Sequence, residues 1–310
     1  MDLIKNFAIQ DKAVIMISHN LEELLEHSDR VVVMKDGVVV GTYASKKMDV
    51  NKLKRLMIGR EIEGDYYRDD DCPSYKDEVV LSAKNISTRD NSLKNISFDL
   101  HKGEILGICG LSDSGTHLLG KVLFGLDKIT EGVVSLRQKE LHRQSDFTRS
   151  NIGYCPKDRD FDGLMLNTSI RNNLCIPSLG ELRHRSGYIS IKSIDDLAEK
   201  ISADFDIKST GIDQIVNKQK VNLGRWMSKD LEIFILDCPT RGVDVGVKAY
   251  IYNVMKKAKA MGLSMILITD ELTEAIGLSD RLIILKNGEI SGLINRGDDM
   301  NEESIIKVMI

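Results

Sequence analysis

Phe234-Ile235-Leu236-Asp237-Cys238-Pro239-Thr240-Arg241-Gly242-Val243-Asp244-Val245-Gly246 is the stretch on which the fold turns. Its apolar start reads as a buried strand that ends in a carboxylate, Asp237. Pro239 and Gly242 then mark a turn, which carries a second carboxylate at Asp244. A thiol, Cys238, stands directly after the strand-ending acid.

Composition sets wide bounds around this stretch. With 310 residues, 42% of them hydrophobic, the chain can bury one or two substantial cores. Its net charge is -4, with acids and bases interspersed, which gives no general basic footprint for nucleic acid. No apolar run approaches the roughly 18–20 residues needed to span a bilayer, and the N-terminus lacks a signal-peptide pattern. Five cysteines (Cys72, Cys109, Cys155, Cys175 and Cys238) lie far apart with no C-x-x-C pair. This spacing argues against a disulfide framework or a zinc site and for a reducing compartment. The expectation is a soluble, cytosolic protein.

The chain repeats itself. Ala13 to Gly37 (AVIMISHNLEELLEHSDRVVVMKDG) aligns without gaps to Ser264 to Gly288 (SMILITDELTEAIGLSDRLIILKNG). Each copy predicts a short buried strand, a helix, a Ser-Asp-Arg step and a branched apolar strand. Each then reaches Asp-Gly or Asn-Gly, the strongest short hairpin signal, because a type I′ turn needs positive φ at both central residues. Matching tails close on Met57-Ile58 and Met309-Ile310. The copies read as the same final quarter of two homologous domains. Residues 1–60 are then expected to be the tail of a first domain, too small to bury their own apolar faces. Residues 61–78, acidic and poor in aliphatics, suit a linker, and 79–310 form the second domain.

Within that second domain, Glu104-Ile-Leu-Gly-Ile-Cys109 predicts a buried strand, and Gly110-Leu111-Ser112-Asp113-Ser114-Gly115-Thr116-His117 a loop after it. Leu118, Leu119, Val122 and Leu123 have helical spacing, and Gly125 is placed to stop the helix. Strand, Gly-xxxx-Gly loop and helix form the context of a phosphate-binding loop, with backbone N–H groups facing an anion.

Taken together these segments resemble ATP-binding cassette (ABC) ATPases, and among them the two-cassette ATP-binding subunits of bacterial monosaccharide importers of the ribose, galactose and xylose type. The resemblance covers nearly the whole chain. Residues 234–246 resemble the Walker B and D-loop segment, Tyr154–Leu164 the Q-loop region, and Asn217–Val221 with Leu223–Met227 the stretch after the ABC signature. It implies an α/β fold: a P-loop NTPase cassette with a RecA-like parallel core. An antiparallel β part near Val79–Leu100 and a helical subdomain over roughly Leu166–Lys229 complete it. It also implies ATP and Mg²⁺ as cofactors, with Gly110–His117 as the phosphate loop and Asp237 as the metal carboxylate.

The departures from the family pattern all fall on chemistry. Thr116 stands where the family carries its phosphate-binding Lys, a loss of about 1.5–3 kcal/mol or roughly one to two decades of affinity. His117 replaces the hydroxyl that meets Mg²⁺, and nitrogen suits that hard ion poorly. Asp213-Gln-Ile-Val216 replaces the glycine-containing signature, and Cys238 replaces the catalytic glutamate. Asp270 replaces the switch-loop histidine, which His19 keeps in the first copy. No catalytic residue of the second domain is therefore intact, and weak nucleotide binding is expected.

The resemblance further implies transmembrane permease subunits and a second, intact cassette as partners, with a periplasmic or extracellular sugar-binding protein engaged indirectly. It places the protein at the cytoplasmic face of the membrane. Two other readings fit the same residues: a non-catalytic cassette used for interaction or regulation, and the truncated product of a split gene.

Overall fold

A computed structural model describes residues 12–17, 21–35, 38–50, 52–53, 56, 67–68, 70, 72–207, 209, 211–213 and 219–310. They fall into two compact units, one within 1–66 together with 242–253 and the other within 67–241 together with 254–310.

The smaller unit holds α1 (Leu21–His27) and the antiparallel pair β1 (Arg30–Lys35) and β2 (Val38–Ala44). Leu21, Val31, Val33 and Leu53 form its small core.

The larger unit begins with an antiparallel sheet in the order β4-β3-β6-β7. Its strands are β3 (Lys76–Ser87), β4 (Ile96–Lys102), β6 (Glu131–Leu136) and β7 (Lys139–Leu141). The central sheet is built from β5 (Ile105–Gly110), β8 (Ile152–Cys155), β9 (Ile233–Asp237), β10 (Ser264–Ile268), β11 (Arg281–Lys286) and β12 (Glu289–Asn295), in the order β12-β11-β5-β10-β9-β8. Strands β11 to β8 in that order run parallel, and β12 closes the edge antiparallel to β11. The continuous apolar runs of β9 and β10 are buried at every residue, as sheets covered on both faces require. Around the two sheets lie α2 (Thr116–Leu123), α3 (Gln144–Arg149), α4 (Ile170–Cys175), α5 (Leu179–Leu182), α6 (Ile191–Asp204), α7 (Gln219–Met227), α9 (Leu272–Leu278) and α10 (Glu302–Met309), while α8 (Val245–Ala260) draws its residues from both units. Helices α4, α6 and α7 share a separate apolar core around Leu174, Ala198, Ile201 and Val221, which forms the helical subdomain.

Local rules read from the sequence hold in detail. Gly125 (φ 73°) ends α2: its N–H donates to the Val122 carbonyl at 2.9 Å, and Leu126 N–H reaches back to Lys121 at 2.9 Å. That pair of bonds is a Schellman stop, which needs a residue free to adopt left-handed geometry. Asn287 (φ 52°) and Gly288 (φ 81°) both take positive φ between β11 and β12. The repeat persists as register. Arg30 pairs with Ala44 as Arg281 pairs with Asn295, and the register slips between Val33 and Met34 as it does between Ile284 and Leu285.

The Ser-Asp-Arg step of the second copy is an ionic anchor. Asp280 is fully buried and accepts from the Ile105 N–H (2.8 Å), Lys259 Nζ (2.6 Å), Arg68 Nη1 (2.7 Å) and the Ser74 N–H (2.9 Å). Arg281 reaches the buried Glu104 carboxylate at 2.5 Å. Arg68 and Ser74 of the acidic stretch are thereby fastened to the start of β5. Removing this carboxylate would leave the buried Lys259 ammonium with backbone carbonyls alone, although Arg68 would keep Asp70. Asp280→Ala is therefore expected to cost about 3–5 kcal/mol, read as a lowered urea midpoint for the larger unit. A loss below about 1 kcal/mol, the scale of an exposed pair, would contradict the anchor.

Candidate functional site

Four parallel strands deliver the site residues at their C-terminal ends, the place where open α/β sheets hold ligands. β5 ends at Gly110 and leads through the loop to α2, whose first residues are Thr116 and His117. β9 ends at Asp237, with Cys238 next; β8 leads to Lys157 and β10 to Asp270. The loop keeps its predicted form. Ser114 N–H donates to the Leu111 carbonyl at 2.9 Å, and Gly115 takes φ 92° at the helix N-terminus. A Cβ at Gly115 would lie 2.6 Å from the Ser92 carbonyl oxygen, so only glycine fits there. Leu111, Ser112 and Asp113 are exposed, whereas Ser114 and Thr116 are buried.

Asp237 is wholly buried, and side chains of the protein occupy both of its oxygens. His117 Nδ1 stands 2.7 Å from Oδ1, and Tyr154 donates its hydroxyl to Oδ2 at 3.2 Å. A carboxylate only accepts, so the proton of this imidazole lies on Nδ1. Lys157 Nζ lies 2.6 Å from His117 Nε2 and donates to Asp270 Oδ2 at 2.9 Å; Asp270 Oδ1 is also 3.3 Å from Nε2. The result is a continuous chain from Tyr154 through Asp237, His117 and Lys157 to Asp270.

Burial raises the Tyr154 hydroxyl far above its ordinary value, and the adjoining Asp237 carboxylate adds to the effect. Burial also works to raise the Asp270 carboxyl, but the Lys157 ammonium, with His117 and the Cys238 thiol, holds it below the ordinary carboxylate value. Cys238 takes φ 48°, and its N–H donates to the Ile268 carbonyl at 2.8 Å. Burial first, then Asp237 and Asp270, push its thiol strongly upward.

Of the residues singled out from sequence, the fold gathers His117, Asp237, Cys238 and Asp270. Asp213 lies in the helical subdomain and is paired with Arg171. Asp244 caps its own helix, accepting from the Val247 N–H at 2.9 Å. His19 and residues 214–216 lie outside the described residues. Sequence reasoning missed Lys157 and Tyr154 as members of the site, although both stand in the segment likened to the Q-loop. It also missed Glu274, which is buried beneath the site and accepts from Thr240 Oγ1 at 2.7 Å and from Thr269 Oγ1.

Comparison with known proteins is consistent with this geometry. Residues 93–241 match the family model described as ABC transporter. The chain is 35% identical over 308 residues to the ribose import ATP-binding protein RbsA of Lactococcus lactis subsp. cremoris (strain SK11), covering 97% of this chain and 61% of that one. It is 36% identical over 322 residues to the protein of the same name from Clostridium perfringens (strain 13 / Type A), covering 99% and 62%. The chain thus spans about three-fifths of the length of these curated relatives. The chain belongs to the ABC transporter family.

Solved ABC cassettes share the fold. A dimeric ATP-binding cassette in a post-hydrolysis state with ADP and Pi superposes with a TM-score of 0.60 at 22% identity, over 69% of this chain and 98% of that one. A nucleotide-free cassette gives 0.58 at 20% identity, over 75% and 99%.

ABC ATPase domains bind ATP with Mg²⁺. Mg²⁺ demands near-octahedral oxygen ligation at about 2.0–2.1 Å. Around Asp237 this cassette offers instead an imidazole nitrogen, a thiol and a nearby ammonium, and both carboxylate oxygens already have partners. The residues present do not fit Mg²⁺.

Thiol reactivity reports this packing. Burial pushes Cys109 and Cys155 up to about 12 and Cys175 up to about 11, with Cys238 raised as well, while Cys72 is exposed. Since the thiolate is the reactive form, Cys72 is expected to react quickly with a thiol reagent at neutral pH in the native chain. The other four should react only on unfolding, with labelling followed by peptide mass spectrometry. Rapid native labelling of Cys238 would contradict the site as described.

Proposed function

We propose that this chain is part of the ATP-binding subunit of a monosaccharide importer, and that residues 79–310 form a second cassette whose own ATP site is degenerate. On this reading residues 1–60 are the tail of a first cassette and 61–78 its linker. The observation that supports the reading is the 2.7 Å bond from His117 to Asp237; on this reading the imidazole takes the position of a nucleotide-bound cation. The names of the relatives support ribose or a similar sugar as cargo. Peripheral attachment to the cytoplasmic face of the membrane follows from the same reading. Among the described residues no helix is long and apolar enough to cross a membrane.

The cassette would contribute fold and contacts rather than turnover. Cys238 cannot orient an attacking water as a carboxylate does, and its raised thiol supplies no base at neutral pH. Its partners on this reading are transmembrane permease subunits and an intact cassette, which supplies the hydrolysis that drives uptake.

A nucleotide titration tests the reading. The 310-residue chain is expected to show no ATP turnover above background. The double variant Thr116→Lys/His117→Ser, which restores the ammonium and hydroxyl, should bind MgATP about one to two decades more tightly than the native chain. Native turnover that Asp237→Asn abolishes would overturn the proposal.

A further inference from the structure

We propose that His117, Asp237 and Cys238 form a site for a borderline divalent transition metal of the Zn²⁺ class, in place of a nucleotide-bound Mg²⁺. The inference rests on the reading that Mg²⁺ chemistry has been lost here, and goes beyond it by naming the ion that the altered donors suit.

Each of the three residues offers one ligand atom, and these atoms all lie within 4.8 Å of one another. Ligands about 2.0–2.3 Å from a tetrahedral centre stand about 3.3–3.8 Å apart. Small side-chain rotations therefore bring the set to ligating distance. Two positions where the family carries oxygen donors supply nitrogen and sulfur here, and both converge on the one retained carboxylate. Nitrogen, sulfur and a single oxygen form a donor set for Zn²⁺ or its neighbours, and one that Mg²⁺ disfavours. The wide spacing of the cysteines hides the site from sequence, because its donors come from the start of α2 and the end of β9.

The groups of an outer shell stand beside the imidazole. When a metal takes His117 Nδ1, the ring proton moves to Nε2; the Lys157 ammonium, 2.6 Å from that nitrogen, then has to turn away from it, and Asp270 Oδ1, 3.3 Å away, accepts the proton. A carboxylate behind a ligating histidine is the common means of orienting such a ring. Lys157 keeps its 2.9 Å bond to Asp270 Oδ2. The Cys238 thiol releases its proton to solvent on ligation. The dication is then balanced by thiolate and Asp237, and Lys157 by Asp270. The His117 side chain is 22% exposed, which leaves an approach for the ion and a fourth position for water.

The test is a Co²⁺ titration of the whole 310-residue chain, free of nucleotide, followed by displacement with Zn²⁺. One equivalent of Co²⁺ is expected to bind with thiolate-to-metal absorption, and Zn²⁺ should abolish that absorption while excess Mg²⁺ does not. Cys238→Ser should lose the absorption. Cys238→Ser and His117→Ser should each weaken Zn²⁺ binding by at least about tenfold, and Cys72→Ser should leave both readouts unchanged. Circular dichroism in chelator establishes that each variant folds; if Cys238→Ser does not, the His117→Ser affinity decides. Co²⁺ binding without thiolate absorption, Zn²⁺ affinity in a folded variant within about threefold of native, or loss of the signal in Cys72→Ser would overturn the site. Because no nucleotide is present, a negative result leaves the MgATP titration to stand or fall by itself.

Discussion

A carboxylate at zero exposure is the constraint around which this cassette is arranged. Asp237 ends a strand buried on every residue, and an uncompensated charge there would cost several kcal/mol. ABC ATPase domains bind ATP with Mg²⁺, and on the proposed reading Asp237 is the carboxylate that would face that ion. Here the compensation is internal: an imidazole takes one oxygen and a buried phenol the other. Phe124 holds that phenol by stacking on the Tyr154 ring at 5.4 Å, with Trp226 edge-on to Phe124 at 5.9 Å. The single tryptophan thus acts through packing, behind the site rather than in it.

The same solution recurs elsewhere in the larger unit. Asp280 and Glu104 near the N-terminal end of β5, and Glu274 under the Asp270 turn, are fully buried acids with several donors each. These hubs hold the ends of strands and the loops that leave them. The Asp280 hub draws its donors from parts of the chain as distant as Arg68 and Lys259, so it reports long-range assembly rather than local propensity. It also gives the repeated Ser-Asp-Arg step a physical meaning in its second copy, where the acid bonds the backbone of β5 and the arginine pairs with Glu104.

Most of the fold was legible because its signals are local. Continuous apolar runs marked β5, β9 and β10, Gly125 marked the end of α2, and Asn287-Gly288 marked the hairpin. The repeat was legible down to the residue where each hairpin slips register. The site was legible only in part. His117, Asp237, Cys238 and Asp270 stood out because their residue types depart from or match a known pattern at strand ends. Lys157 did not, since nothing local says that an ammonium after β8 will meet an imidazole at the start of α2. Tyr154 was hidden for the same reason: an aromatic inside a buried strand reads as core until its hydroxyl is placed against a carboxylate. Glu274 sits in an amphipathic helix where an acid normally faces water. Only the turn after β10, folded over it, shows otherwise.

His117 fills the coordination point of Asp237 with its own proton. Nitrogen-15 NMR of the His117 imidazole tests it most directly, with spectra recorded before and after addition of Mg²⁺ and ATP. The Nδ1–H tautomer is expected, and it should persist when Mg²⁺ and ATP are added. An Nε2–H tautomer in the free chain, or loss of the Nδ1 proton when Mg²⁺ and ATP are added, would contradict it.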